Sequence, residues 1–359
     1  MTVTASEGET IRLSLMASVS IPSLLLQRPG RGMKADGVRA MLERRLNWWK
    51  AGNLPDLMSQ AKLWASKAQA RKLPAQPCPL EEDDGAPMKV SFAETIRQSV
   101  ASGKLTRAAD LLLRPERTGG PVPISDTVAD KLGDLHPRAR EPVADPPPLS
   151  EHPPPGRFDD ITAEAVRAVA LKLRGASGPS GLPTDTLRML CRSQGPSSDH
   201  LCETIAASAR RIASTPLPPG CLGPLIQSRL VTLDKGGGAF RPVGIGEALR
   251  RLICKLIMLS TRGDLKDACG AVQTCSGLSG GCEAAAQALQ KLWDDPEFEM
   301  ILLIDARNAF NSMSRSRALK TAWGRCPSLG NALQNFYGTE AKLHLGQGKS
   351  ILSRELGCL

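Results

Sequence analysis

Three groups of residues have the types and spacing to do chemistry. In the first, the apolar run Met300–Ile304 ends in Asp305, followed by the small-residue turn Ala306-Arg307-Asn308-Ala309 and then Phe310. A carboxylate at the tip of a buried strand is well placed to hold a hard divalent cation through oxygen. The same residue could equally cap a helix or join an ion pair, and Phe310 could press on a bound sugar or serve as a core aromatic. In the second group, Lys235 and Arg241 flank the glycines of Leu233-Asp234-Lys235-Gly236-Gly237-Gly238-Ala239-Phe240-Arg241-Pro242-Val243. A hairpin folded about that tip brings both cations within reach of one anion, and arginine offers a planar fork to phosphate. The plainer reading is a surface hairpin with basic flanks. It is not a Walker A loop, because no Gly-Lys-Ser/Thr closes it before a helix. In the third group, the turn Gly175–Gly181 could approach a nucleic-acid backbone closely or simply connect two helices tightly. Arg250, Arg251 and Lys255 on one helix could sit on phosphates or be solvated.

These groups need elements to hold them. Ile161–Leu173 has the apolar spacing of an amphipathic helix, and a second helix starts at Thr184. Ser228–Leu233 and Phe240–Ile245 alternate as strands about the glycine tip. Glu247–Leu259 is expected as a helix with Leu249, Leu252, Ile253, Leu256 and Ile257 on one face and the three cations off it. A helix over Glu283–Trp293, a buried strand over Met300–Ile304, and a helix from Arg315 to Trp323 capped by Ser314 follow. Upstream, Val38, Met41, Leu42, Leu46 and Trp49 form an apolar helical stripe that stops at Gly52-Asn53, and a second helix covers Leu54–Lys72. Helices are also expected over Ser91–Ala101 and Leu105–Leu113. Residues 74–88, rich in proline with the acidic run Glu81–Asp84, read as a solvated linker. Pro146–Pro148 and Pro153–Pro155 favour extended polyproline geometry and cannot continue a helix.

The whole sequence has 359 residues, 41% of them hydrophobic but only 3% aromatic, so any core rests on aliphatic side chains. The net charge of +10 favours polyanionic partners, nucleic acid before anionic membrane. The ten cysteines lack CxxC pairs, and the spacing of Cys269, Cys275 and Cys282 does not suit zinc. Reduced, buried thiols in a nuclear or cytoplasmic protein are expected. Leu13–Leu26 is too short and too interrupted to span a bilayer, and it lacks the features of a secretory signal. A membrane partner and secretion are therefore not expected.

The order of the motifs is more specific than any one of them. Lys235…Arg241-Pro242-Val243-Gly244-Ile245-Gly246-Glu247-Ala248-Leu249-Arg250-Arg251, then Gly280-Gly281-Cys282-Glu283-Ala284, then Leu303-Ile304-Asp305-Ala306-Arg307-Asn308-Ala309-Phe310-Asn311-Ser312 resembles the reverse transcriptase of non-LTR (LINE-type) retrotransposons. Gly178-Pro179-Ser180-Gly181-Leu182 is similar to the segment preceding the fingers in those elements. The resemblance covers residues 160–359. It extends to Leu25-Leu26-Gln27-Arg28-Pro29 and to Leu42-Glu43-Arg44-Arg45-Leu46-Asn47-Trp48-Trp49.

The resemblance implies an α+β chain: a helical N-terminal region (1–75), proline-rich linkers with short helices (76–156), and fingers with an incomplete palm of a right-hand polymerase (157–359). It implies an RNA-directed DNA polymerase acting on an RNA template, a DNA primer and deoxynucleoside triphosphates, with Mg2+ as cofactor. By the same resemblance Asp305 is the catalytic, metal-binding carboxylate, and the Ala306 carbonyl also faces metal. Lys235, Arg241 and the backbone amides of Asn308 and Ala309 meet the triphosphate, and Phe310 disfavours a 2′-hydroxyl. The sequence departs from the family after Phe310. It contains no Gln-Gly-Asp-Pro segment and no Tyr/Phe-x-Asp-Asp turn, and no aspartate follows Asp305. One carboxylate cannot hold two dications close together, so the chain by itself is expected to be inactive. The alternatives are a non-catalytic nucleic-acid-binding or relic protein derived from such an enzyme, and a helical interaction protein.

Overall fold

The computed structural model describes residues 4–26, 34–70, 92–103, 105, 108–109, 112, 122–137, 142–143, 145–148, 152–154, 156–236, 239–270, 273–274, 280–346 and 349–353. The linker expected at 74–88, the hairpin tip at 237–238 and the last residues from 354 lie outside this set. The fold is mixed α+β. The chain groups into two compact units: Met1–Arg28 with Ile124–Val231 and Pro242–Leu359, and Pro29–Pro123 with Thr232–Arg241.

In the second unit, α2 (Ala35–Lys50) packs on α3 (Leu54–Ala70). The buried residues of α2 are Met41 and Arg45, whereas Leu46 and Trp49 are exposed. The inward face is therefore rotated from the stripe expected through Leu46 and Trp49. Arg45 runs its aliphatic stem along the interface and donates from Nε to the Gln60 side-chain oxygen Oε1 at 2.6 Å. A further helix, α4 (Phe92–Ala101), follows.

The first unit opens with α1 (Ala5–Leu25), begun by a capping box in which the Thr4 hydroxyl accepts from the Glu7 amide and the Glu7 carboxylate accepts from the Thr4 amide. After α5 (Asp126–Asp134) comes a bundle of α6 (Ala163–Leu171), α7 (Thr184–Arg192), α8 (Pro196–Ser214) and the short α9 (Gly223–Ile226). Strand β1 (Ser228–Gly236) and β2 (Ala239–Gly246) lead to α10 (Ala248–Ser260) and α11 (Arg262–Cys269). Helices α12 (Gly281–Trp293), α13 (Ala309–Ser312), α14 (Arg315–Arg325) and α15 (Pro327–Tyr337) precede β3 (Ala341–Gly346) and β4 (Lys349–Ser353).

The core lies where α6, α7, α8 and α10 meet, with α15 along α8. Leu173, Ala206, Leu225, Leu252, Ile253 and Ile257 are among its most buried residues. Ile11, Leu15 and Val19 seat α1 on the same core, beside α9. The sheet order is β2-β1-β3-β4. β1 and β3 run parallel with Ser228 opposite Leu343, and β3 and β4 form an antiparallel pair with Leu343 opposite Ile351. Among the described residues, no helix is long and apolar enough to cross a membrane.

The turn Gly175–Gly181 is a tight connection, held from three sides. Arg251 donates to the carbonyls of Arg174 and Ala176 at 3.0 and 2.6 Å, and Arg229 donates to the Ser177 carbonyl at 3.0 Å. The buried Glu247 carboxylate accepts from the Ser180 amide at 2.7 Å and the Ser180 hydroxyl at 2.8 Å. Gly178 allows this approach, because a Cβ there would stand 2.8 Å from the backbone of Glu247. Arg250 is also structural: it is buried and donates to the Ile226 carbonyl at 2.8 Å. The phosphate-contacting role open to Arg250 and Arg251 is therefore corrected, and only Lys255 of the three stands exposed. Arg250 shares its helix face with Ile253 and Ile257, three and seven residues on, which carries it inward.

Burial holds the Glu247 carboxyl above its ordinary 4.5, against the lowering effect of Ser180 and of nearby Arg251. Between pH 4.5 and the raised folded value, the folded chain thus keeps a proton that the unfolded chain has released. This group's contribution to stability is full below pH 4.5 and is lost as pH rises through the raised folded value. Urea unfolding followed from acid to neutral pH should show this decline in the wild-type chain and a flatter profile in Glu247→Gln. Glu247→Ala leaves the Ser180 amide unpaired and should cost about 1–3 kcal/mol.

Candidate nucleotide-binding segment

Residues 294–313 carry most of the chemistry read from the sequence, and here the structure departs from it. Met300–Ile304 is not a strand and is not buried. It runs without regular structure, and Met300, Leu302, Leu303 and Ile304 are 77%, 76%, 84% and 83% exposed. Among the described residues, no backbone hydrogen bond joins 299–306 to the rest of the chain. Hydrophobicity predicted a buried element, but no neighbouring strand in the sheet reaches this run. Asp305 and Ala306 at its end are exposed as well.

The turn that follows is well built. Asn308 adopts φ +53°, the only positive φ among the described non-glycine residues. Its side-chain amide donates to the Leu135 carbonyl at 2.8 Å, and its side-chain oxygen accepts from the buried Asn311 at 3.0 Å. Asparagine is the residue type that visits this conformation with local hydrogen bonds. The turn opens the single-turn helix α13, whose first residue is Ala309, and leaves Phe310 80% exposed. A core role for Phe310 is thereby excluded in this structure. Ser314 caps α14 as expected, accepting from the Arg317 amide.

Lys235 and Arg241 are both exposed, near the end of β1 and the start of β2, and belong to the second unit. That half of the hairpin is joined within its own unit by the Val122 amide, which donates to the Thr232 carbonyl at 2.8 Å. Asp305, Ala306, Asn308, Ala309 and Phe310 lie together in one segment of the first unit.

As a magnesium site the donor set is thin. Asp305 offers a carboxylate and Ala306 a carbonyl, both open to water, and magnesium takes six oxygens. Among the described residues no cluster of three His, Cys, Asp or Glu side chains could hold a metal. These residues fit one ion completed by water and phosphate oxygens; they do not fit a pair.

Two groups that the sequence did not single out are set by burial. The Cys191 thiol is pushed up to about 12 by burial and by its neighbour Cys202, which leaves it unreactive. Burial likewise pushes Tyr337 up to about 12. Comparison of the chain with protein-family models and with curated proteins returns no match.

The Asn308 turn makes a direct prediction. Asn308→Ala keeps a Cβ at positive φ and removes the bond to Leu135, and should destabilise the chain by about 1–3 kcal/mol. Asn308→Gly relieves the backbone and should cost less. Amide hydrogen exchange should show faster exchange at residues 308–312 in the alanine variant, and equal rates in both variants would contradict the assignment.

Proposed function

We propose that the chain is a fragment of a retrotransposon RNA-directed DNA polymerase. The single observation that carries this reading is the order of motifs: Lys235 and Arg241 around a glycine tip, Gly280-Gly281, and Ile304-Asp305-Ala306 running into Asn308-Ala309-Phe310. Two local features support it. Lys235 and Arg241 are exposed on adjacent strands, free of the burial that makes Arg250 structural. Asn308 holds a positive-φ turn between Asp305 and the exposed ring of Phe310, and backbone strain of this kind concentrates at functional sites.

In this reading Lys235 and Arg241 bind the triphosphate of a deoxynucleotide by charge-assisted hydrogen bonds. By the same resemblance the backbone amides of Asn308 and Ala309 would meet phosphate oxygens, and the Phe310 ring would set the space left for a sugar. Asp305, with the Ala306 carbonyl, would hold magnesium, which when bound supplies charge neutralisation for phosphoryl transfer. Among the described residues no group of three His, Cys, Asp or Glu side chains completes a metal site with Asp305. Primer extension on primed RNA with magnesium should therefore give no product, and template-dependent extension would refute that. Equilibrium binding of a deoxynucleoside triphosphate should weaken about tenfold or more in Lys235→Ala and in Arg241→Ala. Unchanged affinity in both would remove the nucleotide-site reading.

A second reading, non-catalytic nucleic-acid binding, is favoured by α14. Its sequence, Arg315–Arg325, holds four cations and no acid. Arg315 is buried, donating to the Ser353 carbonyl, while Arg317, Lys320 and Arg325 are exposed. Filter binding of single-stranded RNA should lose affinity steeply with salt, and removing these three charges should flatten that slope by about two. Absence of binding at low salt would leave only a relic.

A further inference from the structure

We propose that the exposed segment Glu299–Arg307 associates with the same segment of a second copy of this chain, as an antiparallel two-stranded ribbon. This inference does not rest on the polymerase reading, although the segment contains Asp305 and Ala306, which that reading assigns to magnesium. Three observations carry it. Four of the five residues in Met300–Ile304 are more than three-quarters exposed, a run of apolar side chains that water does not favour. The backbone of 299–306 makes no hydrogen bond to other described backbone, so its amides and carbonyls are available to a second strand. Finally, the charges that bracket the run are self-complementary.

The charges select the register. With the two-fold axis at Leu303, Glu299 of one copy lies opposite Arg307 of the other, and the pair occurs twice. Leu302 then lies opposite Ile304, and Asp305 opposite Ile301. Moving the axis to Leu302 would set Glu299 against Asp305, and like charges directly opposite repel. On such a strand Met300, Leu302 and Ile304 share one face. A bare two-stranded ribbon is marginal in water, so this face needs a cover. Helix α12 supplies one: it buries only Gly281 among its residues, and Leu289, Leu292 and Trp293 form an exposed apolar stripe at i, i+3 and i+4. Only the short stretch Asp294–Phe298 separates that stripe from the ribbon.

Sedimentation equilibrium of the full chain across a dilution series is the test, with circular dichroism to confirm unchanged helix content in each variant. The wild-type chain should show a monomer–dimer equilibrium. Glu299→Arg and Arg307→Glu each turn two attractive pairs into repulsive ones and should weaken dimerisation about tenfold or more. The double variant exchanges the charges and should return the dissociation constant to within about threefold of wild type. Leu303→Arg places like charges at the axis and should abolish the dimer while helix content is retained. A strictly monomeric wild-type chain, open-ended aggregates in place of a dimer, or single charge variants that dimerise like wild type would each overturn the proposal. Failure of the double variant to restore association would overturn the register and with it the ribbon.

Discussion

The buried carboxylate of Glu247 is the constraint on which much of the larger unit rests. It stands where β2 ends and α10 begins, and it reaches back to the amide and hydroxyl of Ser180. That contact fixes the glycine turn between α6 and α7 against the start of α10, the helix that supplies Leu252, Ile253, Leu256 and Ile257 to the core. A buried charge of this kind is costly unless it is fully hydrogen-bonded and compensated. Here Arg251 lies nearby on the next turn and is itself spent on the carbonyls of Arg174 and Ala176. Gly178 is the steric condition for the arrangement, since only a residue without Cβ lets the two backbones meet.

Elements that carry their own apolar period were legible in the sequence. Helices α6, α7, α10 and α12 and strands β1 and β2 fall within a few residues of their expected limits, and Ser314 caps its helix. These elements are decided locally, by periodicity and capping. What was misread depends on partners distant in sequence. Five apolar residues at 300–304 announce a preference for burial and strand geometry, but only a neighbouring strand can satisfy it, and among the described residues none lies beside them. Arg250 shows the opposite error: a charged side chain reads as surface, yet its stem packs inward because the Ile226 carbonyl awaits its head. The pairing of β3 with β1 was not anticipated, since parallel neighbours separated by more than a hundred residues leave no local signature.

The candidate site divides along the same line. The positive φ of Asn308 belongs to a residue type suited to it, and the sequence already singled out that turn. Its anchoring to the Leu135 carbonyl could not be foreseen, because the partner comes from another helix end 173 residues away. Asp305 keeps the residue type that metal chemistry needs, but among the described residues no group of three His, Cys, Asp or Glu side chains gathers to hold a metal.

The seat of α1 has a consequence for biosynthesis. Gly8 lies against Pro218, and the apolar side of α1 is closed by α9. During synthesis α1 must therefore wait about two hundred residues for its docking surface, on the order of 10 seconds or more at ordinary elongation rates. During that interval Ile11, Leu15 and Val19 face solvent, and a nascent-chain chaperone would find its binding site on α1.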